Sequence, residues 1–405
     1  MLIMPRVIVG ISGGVDSSVT AYLLKEQGYD VEGVSFILWN EESLKNAKIC
    51  CSSQSIKEAS ENAGKLKIPH CIIDVRNDFS EKIVRPFVSS YFKGLTPNPC
   101  IMCNRFIKIP FLLKEAEKRG AEYIATGHYA RVEQEKSTVN SHQSLVKTND
   151  QNPMTDKQFL LKKGIDSKKD QSYVLYILSQ KELKRLLLPL GYYRKDEVRR
   201  MAREILLPAI KSESQEICFI EDRKYFKFIQ RLSDVIGKPG PIININTGTV
   251  LGTHKGIHGY TIGQRKGLGI SSPEPLYVVS IDAAKNTLYV GPREAANKKE
   301  FFVGNLNWLI PPTPLIPPLS RGDKEGVKFR ASVKVRSTMK DEPATIYLIP
   351  PTHPSPLRGE GKGGGDREIV RVVFDEPQWS PAPGQSAVFY SGDVLIGGGV
   401  IKKPG

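Results

Sequence analysis

The stretch Arg6–Ser18, RVIVGISGGVDSS, decides how this 405-residue chain is read. A short β-branched run, Arg6–Ile11, meets Gly13 and Gly14, then a helical pattern from Asp16 to Gln27 closed by Gly28. Strand, glycine turn and helix in that order are the context in which a turn can bind phosphate. Gly13 and Gly14 let the backbone approach phosphate oxygens, and Ser12, Ser17 and Ser18 offer hydroxyl donors. The unpaired amides and positive end of the helix favour an anion. Asp16 is expected either to cap those amides or to hold Mg²⁺ on the phosphates. The bland alternative is a Gly-Gly turn that merely starts a helix. No GxxxxGK[ST] occurs, and no GxGxxG in the right context, which argues against Walker-type phosphotransferase and dinucleotide sites.

Working outward, strands and helices alternate up to about Pro208. Strand-like runs Val31–Trp39, His70–Val75 and Tyr123–Thr126 are separated by helical patterns Ser55–Leu66, Phe79–Lys93 and Asn104–Arg119. Such spacing predicts βαβ units and a parallel sheet. From about Pro241 the texture changes to short β-rich pieces with glycine turns: Leu276–Ile281, Thr287–Val290, Val327–Val335, Ala344–Leu348, Ile369–Phe374 and Gly384–Phe389. These predict barrel or sandwich material. The division expected is residues 1–210, 211–277 and 278–405. Three segments read as insertions: polar 135–157, and two similar Pro/Gly-rich stretches at 311–326 and 350–366. The latter two supply 9 of the 28 prolines and read as neutral hairpin-loop insertions rather than proline-rich ligands.

Nothing approaches the ~18 continuous apolar residues of a membrane span. The start, MLIMPRVIVG, lacks the features of a secretory signal, so a cytoplasmic location is expected. Net charge is +15, from 58 Lys+Arg against 43 Asp+Glu. Between Lys157 and Arg231 stand 18 basic and 10 acidic residues, so about half the excess is concentrated there, as a nucleic-acid surface requires.

Six cysteines are too few to staple a secreted fold of this length. Cys71, in the apolar run HCIIDV, reads as core. Cys100 and Cys103 form a CxxC in TPNPCIMCN, just ahead of the helical pattern at Asn104, where helix amides would favour a thiolate. A zinc half-site lacks a second pair of ligands, and a thioredoxin-like pair needs a different context. Of the three competing readings the sharper is a reactive thiol partnered by Cys218, in SQEICFI; taken alone, Cys218 also reads as a small buried hydrophobe.

The SGGVDSS loop resembles that of the PP-loop ATP pyrophosphatases, which cleave ATP between the α and β phosphates. Together with TPNPCIMCN, YIATGHYAR, KKDQSYVLY, SQEICFI, YTIGQRKGLGI and PGQSAVFY, it resembles the tRNA 2-thiouridylase family nearly end to end, the three insertions aside. That resemblance implies an α/β fold: a parallel-sheet PP-loop domain (adenine nucleotide α-hydrolase-like), a small central domain carrying Cys218 and a C-terminal β-barrel. It implies ATP and Mg²⁺ as cofactors, with Gly10, Ile11, Ser12, Gly13, Gly14, Val15, Asp16, Ser17, Phe36 and Gly127 around the nucleotide. Cys103 and Cys218 become the catalytic thiols, Cys218 carrying a persulfide from an upstream sulfur-relay protein. His128, Lys169, Asp170, Gln171, Arg336, Ser337 and Gln385 match positions near tRNA. The chain is expected to act as a monomer apart from tRNA.

The match is not complete. Cys100 stands where many relatives have Asp, Ser337 follows Arg336 where they tend to have Tyr, and Phe36 takes the usual Met position. Rival expectations are an iron–sulfur cluster on Cys100, Cys103 and Cys218, a PP-loop ligase acting on a small metabolite, and a non-catalytic RNA-binding protein.

Overall fold

The computed structural model describes residues 4–39, 53–135, 158–207, 217–220, 225–232, 237–312, 328–349 and 368–403. Cys50, Cys51 and almost all of the three expected insertions lie outside the described residues.

The first half builds a parallel sheet from β1 (Arg6–Gly10), α1 (Val15–Glu26), β2 (Asp30–Ile37), α2 (Ser53–Lys65) and β3 (His70–Asp74). Short α3 (Arg76–Phe79) continues through a π turn, Ser80–Val84, into α4 (Arg85–Phe92). Then come α5 (Pro99–Cys103), a second π turn, Asn104–Lys108, α6 (Ile109–Lys118) and β4 (Tyr123–Ala125). β5 (Ala130–Gln134), β6 (Phe159–Lys163), α7 (Gln180–Arg185), β7 (Leu186–Leu187) and α8 (Lys195–Glu204) follow. The strand order is β3-β2-β1-β4-β7, all parallel. β1 is buried through Val7, Ile8 and Val9, and Val31 and Val34 of β2 beside it are buried too, because helices cover both faces. Val9, Ala21 and Ala59 share one core with α1 and α2, whereas Ile8 and Leu112 belong to the core on the other face.

Next stand α9 (Tyr225–Leu232), β8 (Gly240–Asn244), β9 (Val250–His254), β10 (Tyr277–Asp282) and β11 (Thr287–Gly291). The four strands form one sheet, β10-β11-β8-β9. The division expected at 277/278 falls inside this sheet, since β10 and β11 pair with one another and β11 with β8.

The last strands are β12 (Asn297–Trp308), β13 (Lys328–Lys334), β14 (Glu342–Ile349), β15 (Ile369–Trp379), β16 (Ser386–Ser391) and β17 (Val394–Ile401). They run β12-β15-β14-β13-β16-β17, and β12–β17 pairing closes a six-stranded barrel. β12 and β17 lie outside the strands expected from pattern. The run LIGGGVI of β17 holds three consecutive glycines, and Gly397, Gly398 and Gly399 are buried strand residues. A Cβ on them would come within 2.6–2.7 Å of the Asn307, Ala387 and Gly304 carbonyl oxygens, so closing the barrel there admits only glycine.

Hairpin β5–β6 leaves the parallel sheet and joins the barrel through β17. The segment after it, through Tyr173, Leu175, Tyr176 and Leu178, sits in a core shared with Leu112 and Ile124 on one side and with Val333, Val388 and Phe389 on the other. The barrel is therefore docked on the parallel-sheet unit by continuous apolar packing. Among the described residues no helix is long and apolar enough to cross a membrane.

Candidate active site

In the sheet order, β1 continues to β2 on one side and lies against β4 on the other, so the chain reverses direction across the sheet between β1 and β4. Open parallel sheets bind ligands outside the carboxyl ends of their strands at such a point. The loop Gly10–Gly14 leaves β1 there. Gly13 holds a φ of +80°, and a Cβ on it would sit 2.3 Å from the Ser55 carbonyl oxygen of α2. The Ser17 hydroxyl accepts from the Ser12 amide at 3.1 Å and lies 3.1 Å from the Gly14 carbonyl oxygen, which ties the loop to the first turn. Gly14 is the N-cap of α1 and no side chain caps the helix, so its first-turn amides remain for an incoming anion. Gly127, just after β4, lies against the same turn; a Cβ there would stand 3.0 Å from the Ser17 amide nitrogen. Phe36, near the end of β2, is half-buried and meets Phe111 edge-on at 6.2 Å between ring centroids.

Two sequence expectations are corrected here. Ser18 is not a ligand donor: it is fully buried, donates to the Gly14 carbonyl at 3.1 Å and accepts from Asn62 Nδ2 at 2.9 Å. Asp16 does not cap α1. Both of its carboxylate oxygens take the Lys195 ammonium, at 2.6 and 2.8 Å, and Oδ1 also accepts from the Tyr129 hydroxyl at 2.7 Å. Lys195, Tyr129 and Asn62 are thus members of the loop's surroundings that sequence reasoning missed.

The CxxC is not ahead of a helix but inside one. Asn98 Oδ1 accepts from the Cys100 and Ile101 amides at 3.1 and 3.4 Å, and Pro99 occupies the first turn, so α5 starts earlier than pattern alone indicates. Cys100 is exposed on that first turn; Cys103, at its end, is 4% exposed. Cys103 belongs to an apolar cluster with Leu38, Phe79, Phe87, Phe219 and Phe228, against which Cys218 is packed. Phe219 does the anchoring: its ring meets Phe79, Phe87 and Phe228 at 5.3–5.5 Å. Leu38 follows β2, so the thiol cluster begins where that strand ends, one strand away from the glycine loop. Among the described residues, no three His, Cys, Asp or Glu side chains form a group able to hold a metal. Cys71 is half-buried rather than core, its thiol against Arg119 Nη2 at 3.2 Å; burial pushes that thiol up more than Arg119 lowers it.

The residues expected near tRNA divide into ties and exposed groups. Asp170 accepts from the Gly164 and Ser172 amides at 3.2 and 3.1 Å, and pairs at 3.4 Å with the buried Lys334 of the barrel. Gln171 brackets Tyr129, donating its amide at 2.8 Å and accepting through Oε1 at 3.0 Å. Arg336 is mostly buried and donates to the carbonyls of Ile262 and Ser380 at 3.2 and 3.0 Å, clamping YTIGQRKGLGI onto the barrel. Gln385 pairs with Ile401 through its backbone carbonyl, Lys169 is half-buried, and Ser337 is exposed. His128 is 8% exposed, with Nδ1 2.8 Å from the Thr126 hydroxyl.

Comparison with known proteins decides the family. Residues 5–222 match the tRNA methyl transferase HUP domain model, 227–292 the tRNA methyl transferase PRC-barrel domain and 364–401 the aminomethyltransferase beta-barrel domain. The tRNA-specific 2-thiouridylase MnmA 1 of Caldanaerobacter subterraneus subsp. tengcongensis is 45% identical, over 98% of this chain and 98% of that protein. MnmA 2 of Thermoanaerobacter sp. is 45% identical over 100% and 99%, and MnmA of Clostridioides difficile 39% over 100% and 99%. The chain belongs to the tRNA-specific 2-thiouridylase family.

In this member of the family the arrangement offers a glycine turn with uncapped helix amides and, beside the neighbouring strand, two thiols at one apolar cluster. It also carries an internal histidine with a pH consequence. Burial, with Lys108 adding to it, pushes His128 down to about 3 from the usual 6.5. The folded protein therefore keeps His128 neutral while the unfolded chain protonates it below the usual value, so stability is lost as pH falls from there toward the folded value. Urea unfolding is expected to show His128→Gln losing about 2 kcal/mol less than the unsubstituted chain between about pH 7 and about pH 5. Equal losses would show that His128 is not buried as the structure has it.

Proposed function

We propose that this chain thiolates the wobble uridine of tRNA at C2, in an ATP-dependent reaction. The observation that carries the reading is the juxtaposition of the glycine loop at the carboxyl end of β1 with the Cys103–Cys218 cluster that starts at the end of β2. The C2 oxygen of uridine is a poor leaving group. If it attacks the α-phosphate of ATP, pyrophosphate leaves toward Gly10–Ser17 and the oxygen is carried off later as part of AMP. Phe36 and Gly127 flank the nucleotide in this reading. The described residues do not build a protein-held Mg²⁺ site, because both Asp16 oxygens are engaged by Lys195; the helix amides and the Ser12 hydroxyl do the holding, while the buried Ser17 hydroxyl, bonded to the Gly14 carbonyl, braces the loop.

Sulfur has to arrive as a better nucleophile than water. A persulfide on Cys218, received from an upstream sulfur-relay protein, attacks C2 through its outer sulfur and expels AMP. The Cys103 thiolate then attacks the Cys218 sulfur, breaking the S–S bond. This leaves 2-thiouridine and a Cys103–Cys218 disulfide, which an external thiol reduces. Alternatively, attack by Cys103 on the persulfide comes first and releases sulfide, which adds to C2. The target base must be flipped out of its stack to reach either thiol. The +15 charge grips tRNA phosphates, through exposed and half-buried groups such as Lys169, and makes binding salt-sensitive. In this reading the chain acts as a monomer in the cytoplasm.

Incubation with ATP, Mg²⁺, a persulfide donor and tRNA carrying an unmodified wobble uridine, followed by nuclease digestion, should yield 2-thiouridine. A folded protein that yields none, while a characterised 2-thiouridylase does so under the same conditions, would sink the proposal.

A further inference from the structure

Residues Gly10–Ser18 contain no lysine or arginine and one carboxylate, Asp16, yet this loop is read as the seat of a polyanion. An unneutralised carboxylate on the first turn of α1 would oppose that role. The charge that answers it comes from 179 residues away: Lys195, 6% exposed, places Nζ on both Asp16 oxygens. The surroundings make the placement rigid. Lys195 is the first residue of α8, and its amide donates to Asp166 Oδ2 at 3.0 Å. α8 is packed on α1 through Val19, Leu23, Val198 and Ala202. The Tyr129 hydroxyl donates to Asp16 Oδ1 from the other side, and the Lys195 ammonium stands 5.5 Å from the centroid of the same tyrosine ring. Lys195 is buried and the Asp16 side chain is 31% exposed, and such a pair is a poor source of net stability, because desolvation of the ammonium and solvent screening of the carboxylate offset most of the attraction. Its position on the phosphate-binding turn calls for another reason.

We propose that Lys195 is a positioning residue of the nucleotide site: it cancels the Asp16 charge and, with Tyr129, holds that carboxylate where it does not repel the triphosphate. The inference rests on reading the loop as the ATP site. Its signature is a charge effect that the phosphates feel and the nucleoside does not.

The test is equilibrium binding of a non-cleavable α,β-methylene ATP analogue, and of adenosine, to the full chain. Lys195→Met is expected to weaken the analogue at least tenfold and adenosine by less than twofold. Lys195→Arg, which keeps the charge, should stay within about threefold for the analogue. Asp16→Asn combined with Lys195→Met removes both charges and should regain most of the lost affinity. Equal weakening of analogue and adenosine, or a double variant as weak as the single, would overturn the proposal. Should Lys195→Met not fold, Lys195→Arg and the double variant carry the same comparison. An unsubstituted chain that binds adenosine but not the analogue would instead overturn the ATP reading of the loop.

Discussion

A Gly13→Ala substitution is expected to lower ATP-dependent thiolation by about a hundredfold or more, while the protein still folds. Two effects coincide at this residue. Its φ of +80° lies in the left-handed region, where an L side chain costs about 1–2 kcal/mol. The larger effect is crowding. An added methyl would lie 2.3 Å from the Ser55 carbonyl oxygen and 3.2 Å from its carbon, both backbone atoms, so neither can rotate out of the way. Either the glycine loop or the start of α2 has to move by roughly 1 Å, and misplacement on that scale costs on the order of 10² in rate. Gly28→Ala separates the two effects. Gly28 also has positive φ, +85°, but an added Cβ meets nothing within 4 Å. It should cost about 1 kcal/mol of stability in urea unfolding and leave thiolation within twofold. Pyrophosphate release and 2-thiouridine formation, measured on both variants, check the contrast. Equal activity in the two would mean that the loop's position does not matter to the reaction.

The second large effect divides the chemistry instead of abolishing it. Cys218→Ser should reduce 2-thiouridine formation by about a thousandfold or more, because a hydroxyl cannot carry the transferable sulfur. ATP-dependent pyrophosphate release, measured with tRNA present, should remain within a few-fold, since Cys218 is packed on the aromatic cluster of Phe79, Phe87 and Phe219 and has no part in adenylation in this reading. Cys103 is better replaced by alanine than by serine: at 4% exposure a new hydroxyl would add a burial cost of about 1–3 kcal/mol that mimics a catalytic defect. Cys103→Ala should also spare pyrophosphate release. Cys100, exposed on the first turn of α5, supplies the control. If Cys100→Ser lost thiolation as completely as Cys218→Ser, the pairing of Cys103 with Cys218 would be wrong.

How far the site could be read in advance depended on whether its parts are neighbours along the chain. The glycine loop could be recognised because strand, turn and helix are contiguous and each step follows local rules. The pairing of Cys103 with Cys218 could be anticipated from thiol chemistry and family likeness but not from spacing; what brings them into one cluster is Phe219 lodging among aromatic rings from two other segments. Asp170 and Arg336 stand at positions that the family likeness puts near tRNA. Both turn out to be engaged internally, one with Lys334 and the other with the carbonyls of Ile262 and Ser380. A sequence shows that a residue is charged but not whether the fold has already spent the charge.

By itself, then, the sequence determined the class of the N-terminal sheet and the strand, glycine turn and helix that begin it, because hydrophobic period and glycine placement are properties of consecutive residues; the net charge gave only a hint of a polyanionic partner. Only the tertiary structure decided that Asp16 is held by Lys195 rather than capping its helix, that the hairpin of Ala130–Gln134 and Phe159–Lys163 belongs to the barrel, and that three consecutive glycines form a buried strand. Each depends on which distant backbone or charge comes within a few ångströms, and that is settled by packing and desolvation after the chain has closed on itself.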